Sequence, residues 1–307
     1  MEDPQAGMRA AGMRRAQASC ALATFVVAAI SITGSAGAAP HRGDTRSALP
    51  ALDRVVVVVF ENKEYDQVLG NPDAPTFRSL ARRYALLTNY RAVAHPSLPN
   101  YLALVSGSTH AIASDCTGCQ VSAPNLADTL EVAGKTWKTY AEGLPRAGFT
   151  GAWAGRYAKK HNPLLYFADV VSMSDRLRKI VPLSAFHRDL DAGRLPDFSL
   201  VVPDLCNDMH DCSVSTGDAW LRTFLRPLLP NRALGRGVIF VVFDEGTSND
   251  GGGGHVLALA LGPLVRAGSR TSARLDHYGL LRTIESALGL PLLGHSRNAR
   301  PIAGIWR

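Results

Sequence analysis

The sequence predicts an α/β fold, a three-layer sandwich in which helices cover both faces of a mostly parallel central sheet. Three observations carry this reading. Apolar runs too short for helices and rich in β-branched residues recur along the chain, as in RVVVVVF from Arg54 to Phe60, and such runs suit strands buried on both faces. Segments with helical periodicity lie between them. The two kinds alternate with no internal repeat or linker, so residues 51–307 read as one domain.

The chain opens on a removable leader over residues 1–38. Arg14 and Arg15 precede an apolar run from Cys20 to Ile32, and Ala36-Gly37-Ala38 offers a cleavage site. The run is shorter than the roughly 20 residues of a membrane-spanning helix, so no stable membrane span is expected. The protein is expected to be secreted or held in the cell envelope after cleavage near Ala38. Residues 39–50 read as a loose arm. Strands are then expected at Arg54 to Phe60, Leu87 to Ala92, Thr136 to Tyr140, Phe198 to Val202, Val238 to Phe243 and Val256 to Leu261. Helices are expected at Pro75 to Tyr84, Pro99 to Ser106, Asn125 to Ala133, Gly217 to Leu229 and Tyr278 to Leu288.

Composition excludes a disordered or collagen-like chain, because 46% of the 307 residues are hydrophobic. A net charge of +7 with 19% charged residues suits anionic ligands without marking a nucleic-acid stripe, so no nucleic-acid partner is expected. Of five cysteines, Cys20 leaves with the leader. Cys116/Cys119 and Cys206/Cys212 then form two local pairs suited to disulfides in an oxidising compartment. A four-cysteine zinc site competes with this reading but fits the Cys-x5-Cys spacing poorly.

Ligand sites of such sheets gather at the carboxyl ends of strands. One strand runs into Glu61-Asn62 and another into Asp244-Glu245; if these strands are neighbours, the carboxylates crowd and call for protons or a cation. The segment Ser97-Leu98-Pro99-Asn100 places Ser97 at or just before a helix N-terminus, since proline suits the first helical turn. There a hydroxyl can serve as a nucleophile while backbone N–H groups face an anion, or it can simply cap the helix.

The segments VVVVVFENKEYDQVLG, HPSLPNYLALVSG, YAKKHNPLLYF, VVPDLCNDMHDCS, TGDAWLRTFL, VVFDEG and DHYGLLRTIESALGLP run from Val55 to Pro291. In order and spacing they resemble the phosphoesterase branch of the alkaline phosphatase superfamily, which holds acid phosphatases and phospholipases C. The match is nearest to short secreted acid phosphatases of mycobacterial type. The resemblance implies an alkaline-phosphatase-like sheet and one divalent metal held by Glu61, Asn62, Ser97, Asp244 and Glu245. Ser97 would attack phosphorus and form a phosphoserine. Two-metal members carry Asp-His where this chain has Asp244-Glu245, and Asp-x3-His where it has Asp204-x3-Asp208, so a second metal is not expected.

His95, His210 and His255 each neighbour a motif and are candidates to protonate a leaving oxygen or bind phosphate. Asn100, Asp204, Asp208 and Asp211 are candidates to bind substrate or support the site; the three aspartates equally suit an Asx-rich turn closed by Cys206 and Cys212. His277 reads as a cap or packing residue. Lys159-Lys160-His161 suits either attraction of a phosphate or lipid head group or a solvated charge run. The expected activity is hydrolysis of a small phosphomonoester. A phospholipase C-type diesterase acting on phospholipid head groups and a catalytically silent binding module are the alternatives.

Overall fold

A computed structural model describes residues 49–307. The expected leader, Cys20 and most of the loose arm lie outside the described residues. The sheet has eight strands in the order Arg270–Thr271, Ala85–Leu87, Ala258–Leu261, Val238–Phe243, Val55–Phe60, Phe198–Val202, Trp137–Ala141 and Ile180–Pro182. Ala258–Leu261 is antiparallel to both its neighbours, and every other pairing in the sheet is parallel. No residue of Val55–Phe60 is more than 2% exposed, so both faces of the central strand are covered, as its unbroken apolar run requires. Helix Pro75–Arg83 packs on Val214–Leu228, and Ser97–Ser106 packs on His277–Leu288. Among the described residues no helix is long and apolar enough to cross a membrane.

The segment Leu87 to Ala92 is not one strand. Ala85–Leu87 joins the main sheet, whereas Tyr90–Arg91 pairs with Leu275–Asp276 in a separate two-stranded ribbon. That pairing sets Asp276 at the head of His277–Leu288, where its side chain accepts from Gly279 N at 2.9 Å. Helix Ser97–Ser106 starts two residues earlier than expected. Val214–Leu228 starts three earlier, because Ser213 caps it by accepting from Thr216 N. Both cysteine pairs are bonded, Cys116 to Cys119 and Cys206 to Cys212.

Glu285 is a carboxyl group buried in the helix His277–Leu288, accepting from Leu293 N at 2.8 Å and from Ser296 Oγ. Burial pushes its pKa up to about 7. Because the folded value lies above the ordinary one, the unfolded chain ionises first as pH rises. Stability from this group is therefore full below the ordinary carboxyl range and is lost as pH climbs to about 7. Thermal unfolding of Glu285→Gln should lack that part of the wild-type decline between about pH 5 and pH 7. Parallel pH profiles for the two proteins would show that Glu285 does not titrate in the fold.

Candidate active site

Three parallel strands deliver the acidic groups. Val55–Phe60 and Val238–Phe243 are neighbours in register, Phe60 opposite Phe243, so Glu61 and Asp244 leave the sheet side by side. Asp244 N donates to Phe60 O at 2.9 Å. On the other flank, Glu61 N donates to the Asp208 carbonyl at 2.9 Å, which ties in the loop after Phe198–Val202. Glu61, Asp208 and Asp244 are fully buried and Glu245 is 5% exposed. The expected crowding is present.

Ser97 is the first residue of its helix, and its Oγ lies 3.0 Å from Glu61 Oε2 and 3.2 Å from Glu245 Oε1. One hydroxyl proton thus faces two carboxylates. Tyr101, one turn along, donates its OH to the other oxygen of Glu61. Asn100 fixes the approach to Ser97. Its Oδ1 accepts from the N–H groups of Val93 and Ala94, and its Nδ2 donates to the carbonyls of Ala94 and Pro96. Asn100 is therefore a loop clamp that sets where the helix begins, with its side-chain oxygen and nitrogen both engaged by backbone.

The histidines divide. His95 Nδ1 bonds Glu245 Oε2 and its Nε2 bonds the Ser248 carbonyl at 2.8 Å. Burial, which alone would lower its pKa, is outweighed by these acceptors and the value is raised. His210 Nδ1 sits 2.6 Å from Asp211 Oδ1, and Lys160 Nζ lies 3.3 Å from its Nε2. Lys160 also holds Asp115 at 2.9 Å, and the other oxygen of Asp115 accepts from Leu98 N at the head of the Ser97 helix. His255 has its N–H on the Glu64 carboxylate, which also accepts from Thr247 N and Ser248 N after Glu245, while its ring stacks on Tyr65 with Nε2 3.1 Å from the Thr88 carbonyl. Asp204 shapes its own loop, its Oδ1 accepting from Cys206 N and Asn207 N. His277 is buried beneath the site, bonded to the Asp244 carbonyl and, at 2.9 Å, to Tyr90 OH; burial takes its pKa down to about 4, so it stays neutral.

His161, which the sequence offered only within the Lys159-Lys160-His161 charge run and not as a ligand, stands in the cluster. It is 1% exposed and stacked on Tyr101. Its Nε2 is 3.3 Å from Glu61 Oε1 and its Nδ1 3.3 Å from Asp208 Oδ2. The signal in the sequence was the apolar stretch after Lys159-Lys160-His161, since Pro163 to Phe167 is entirely buried and draws the run inward.

The residues present fit a divalent cation. Asn62 Oδ1 and Asp244 Oδ2 are buried without a hydrogen-bond partner, and Asp208 Oδ2 and His161 Nε2 make no hydrogen bond beyond the 3.3 Å imidazole–carboxylate contacts, an expensive state for polar atoms that a cation would relieve. Ligating atoms of Glu61, His161 and Asp208 lie within 4.8 Å of one another. Without a cation, burial favours the protonated form of these acids. Burial and then the Asp208 charge raise Glu61; burial and then Glu61 and Glu245 raise Asp244; burial above all carries Asp208 to about 8. His161 moves the other way, lowered by burial and by the Lys160 charge, which keeps its imidazole neutral and able to ligate.

Known proteins are similar to this chain in sequence or in fold. The model of the Phosphoesterase family matches residues 71–291. A phosphatidylinositol-3-phosphatase of Mycobacterium tuberculosis is 38% identical, over 93% of this chain and 94% of its own. A probable acid phosphatase of Kluyveromyces lactis is 33% identical over 80% of this chain, which spans 60% of that longer protein. Among solved structures, a member of the alkaline phosphatase superfamily from Vibrio parahaemolyticus superposes with a TM-score of 0.59 at 14% identity, covering 83% of this chain and 72% of its own. Sequence match, fold and the crowded strand ends agree, and the chain belongs to the Phosphoesterase family, as a hydrolase of phosphoric ester bonds.

Proposed function

We propose that the chain is an exported, divalent-metal-dependent phosphomonoesterase in which Ser97 is the nucleophile. One observation carries the reading: the Ser97 hydroxyl stands at a helix N-terminus with its proton directed at Glu61 and Glu245. Glu61, Asn62, Asp244 and Glu245, with His161 and Asp208 beside them, would hold the metal, which would supply positive charge against the transferring phosphoryl group. The Ser97 Oγ–H proton passes to a neighbouring carboxylate as the Oγ–P bond forms and the ester P–O bond breaks. His210, its Nδ1 held by Asp211, would take a proton at Nε2 from Lys160 and pass it to the departing oxygen. Water then cleaves the phosphoserine, and Ser97 recovers its proton. Two disulfides and the arginine-led N-terminal apolar run support export.

A monoester is favoured over a diester because the mycobacterial relative, matched over 94% of its length, is named as a lipid 3-phosphatase. Comparing p-nitrophenyl phosphate, bis-p-nitrophenyl phosphate and phosphatidylcholine with metal-defined enzyme tests this. The monoester should turn over fastest. Preference for either diester would replace the reading with a phospholipase C-type activity.

A further inference from the structure

A basic groove lies on the flank of the molecule, where helix Pro75–Arg83 packs on helix Val214–Leu228. It is about 360 Å³ in volume. Leucines 80, 225 and 229 form its floor, and Arg83, Arg222 and Arg226 stand around it. The three arginines are exposed, and no carboxylate pairs with any of them among the described residues. Helix Pro75–Arg83 contains no acid. The other helix has Asp218 alone, which is 3% exposed and occupied in accepting from the N–H groups of Thr76 and Phe77.

Arg222 and Arg226 are one turn apart on the same helix face, an arrangement that repels and costs the helix a few tenths of a kcal/mol when nothing anionic stands between them. Arg83 has a local role, since a cation suits the last turn of a helix, but Arg222 lies mid-helix and gains little there. Guanidinium groups present donor forks matched to phosphate oxygens. An aliphatic floor beneath such forks suits the boundary between a phospholipid head group and its glycerol and acyl region. A single nucleic-acid strand would call for aromatic side chains on which bases stack, and none lines this groove.

We infer that the groove between these two helices docks the protein on an anionic phospholipid surface. It shares no lining residue with the carboxylate cluster or with Ser97, so docking is separable from the proposed chemistry.

Co-sedimentation of the full chain with vesicles tests this. The wild type should partition onto phosphatidylcholine vesicles containing phosphatidylglycerol, should be released by salt, and should ignore vesicles of phosphatidylcholine alone. The triple variant Arg83→Gln, Arg222→Gln, Arg226→Gln should lose about fivefold in partition per arginine, on the order of 100-fold in all. Its unfolding temperature and p-nitrophenyl phosphate turnover should stay at wild-type values, which separates failure of docking from failure of the catalytic reading. Equal partition of variant and wild type, or indifference of the wild type to phosphatidylglycerol, would overturn the inference. So would displacement from vesicles by inorganic phosphate at matched ionic strength, which would mark a free-phosphate site. Equally tight, arginine-dependent binding of duplex DNA would mark an unspecific polyanion face instead.

Discussion

Ser97→Ala should lose on the order of 10⁴-fold or more in p-nitrophenyl phosphate turnover, because on the proposed mechanism removal of the covalent nucleophile leaves only binding and charge stabilisation to act on the ester. The fold should persist. Ser97 caps nothing by its side chain, and its hydroxyl contacts are the two carboxylates that a cation would otherwise satisfy. Alanine is a good helix former at that position. Turnover should disappear while the remaining ligands Glu61, Asn62, Asp244 and Glu245 still retain metal. Ser97→Thr is the companion variant: it restores a hydroxyl, so a measurable fraction of activity and an acid-stable phosphoenzyme should return. Activity of Ser97→Ala within tenfold of wild type would remove Ser97 from the mechanism and leave direct attack by water as the reaction. Asn100→Ala makes a useful contrast, since it removes the clamp on residues 93–96 and keeps the nucleophile.

Much of this site was legible because its parts are local. The valine run and the Val238–Phe243 run announce strands buried on both faces, and covalent continuity fixes which residues leave each strand. Glu61-Asn62 and Asp244-Glu245 therefore had to stand at strand ends. Their meeting depended on strand order, which no local pattern encodes; it came from the central strand being flanked by Phe198–Val202 and Val238–Phe243. His161 escaped for the same reason. In the sequence it closes a Lys-Lys-His run that reads equally well as a solvated face, and only packing against Tyr101 shows that the run turns inward. The edge strands Ile180–Pro182 and Arg270–Thr271 are two or three residues long, too short for any periodicity to register. His255 illustrates a finer limit: the glycine-rich loop keeps its backbone beside the loop after Asp244-Glu245, through Gly246 N to Gly253 O and the shared Glu64 carboxylate, but turns its ring to Tyr65 and Thr88.

Chelation of divalent metal should abolish turnover and lower the unfolding temperature, and the loss should grow with pH. Glu61, Asp208, Asp244 and Glu245 converge with Lys63 and Lys160 as neighbouring basic groups, and burial raises the pKa of all four acids. A carboxyl whose folded value exceeds its unfolded one stabilises the fold when protonated. Metal-free stability is thus greatest near the ordinary carboxyl range and falls as pH rises toward about 8, the value for Asp208. A bound cation reverses the slope, since it takes the deprotonated ligands and competes with protons. At about 100 times its dissociation constant, metal should add about 2.7 kcal/mol, or roughly 5–10 °C for a domain of this size. Asp208→Asn separates the two contributions. It should weaken metal binding and turnover, yet raise the unfolding temperature of the chelated protein at pH values near 8, because it removes one buried charge from a cluster of four acids that Lys63 and Lys160 alone do not balance once the metal is gone. Calorimetry of both proteins with and without chelator measures all four states. If the chelated wild type matched the metal-loaded protein across that range, the carboxylates would be neutralised by protons alone and the cluster would not be a metal centre.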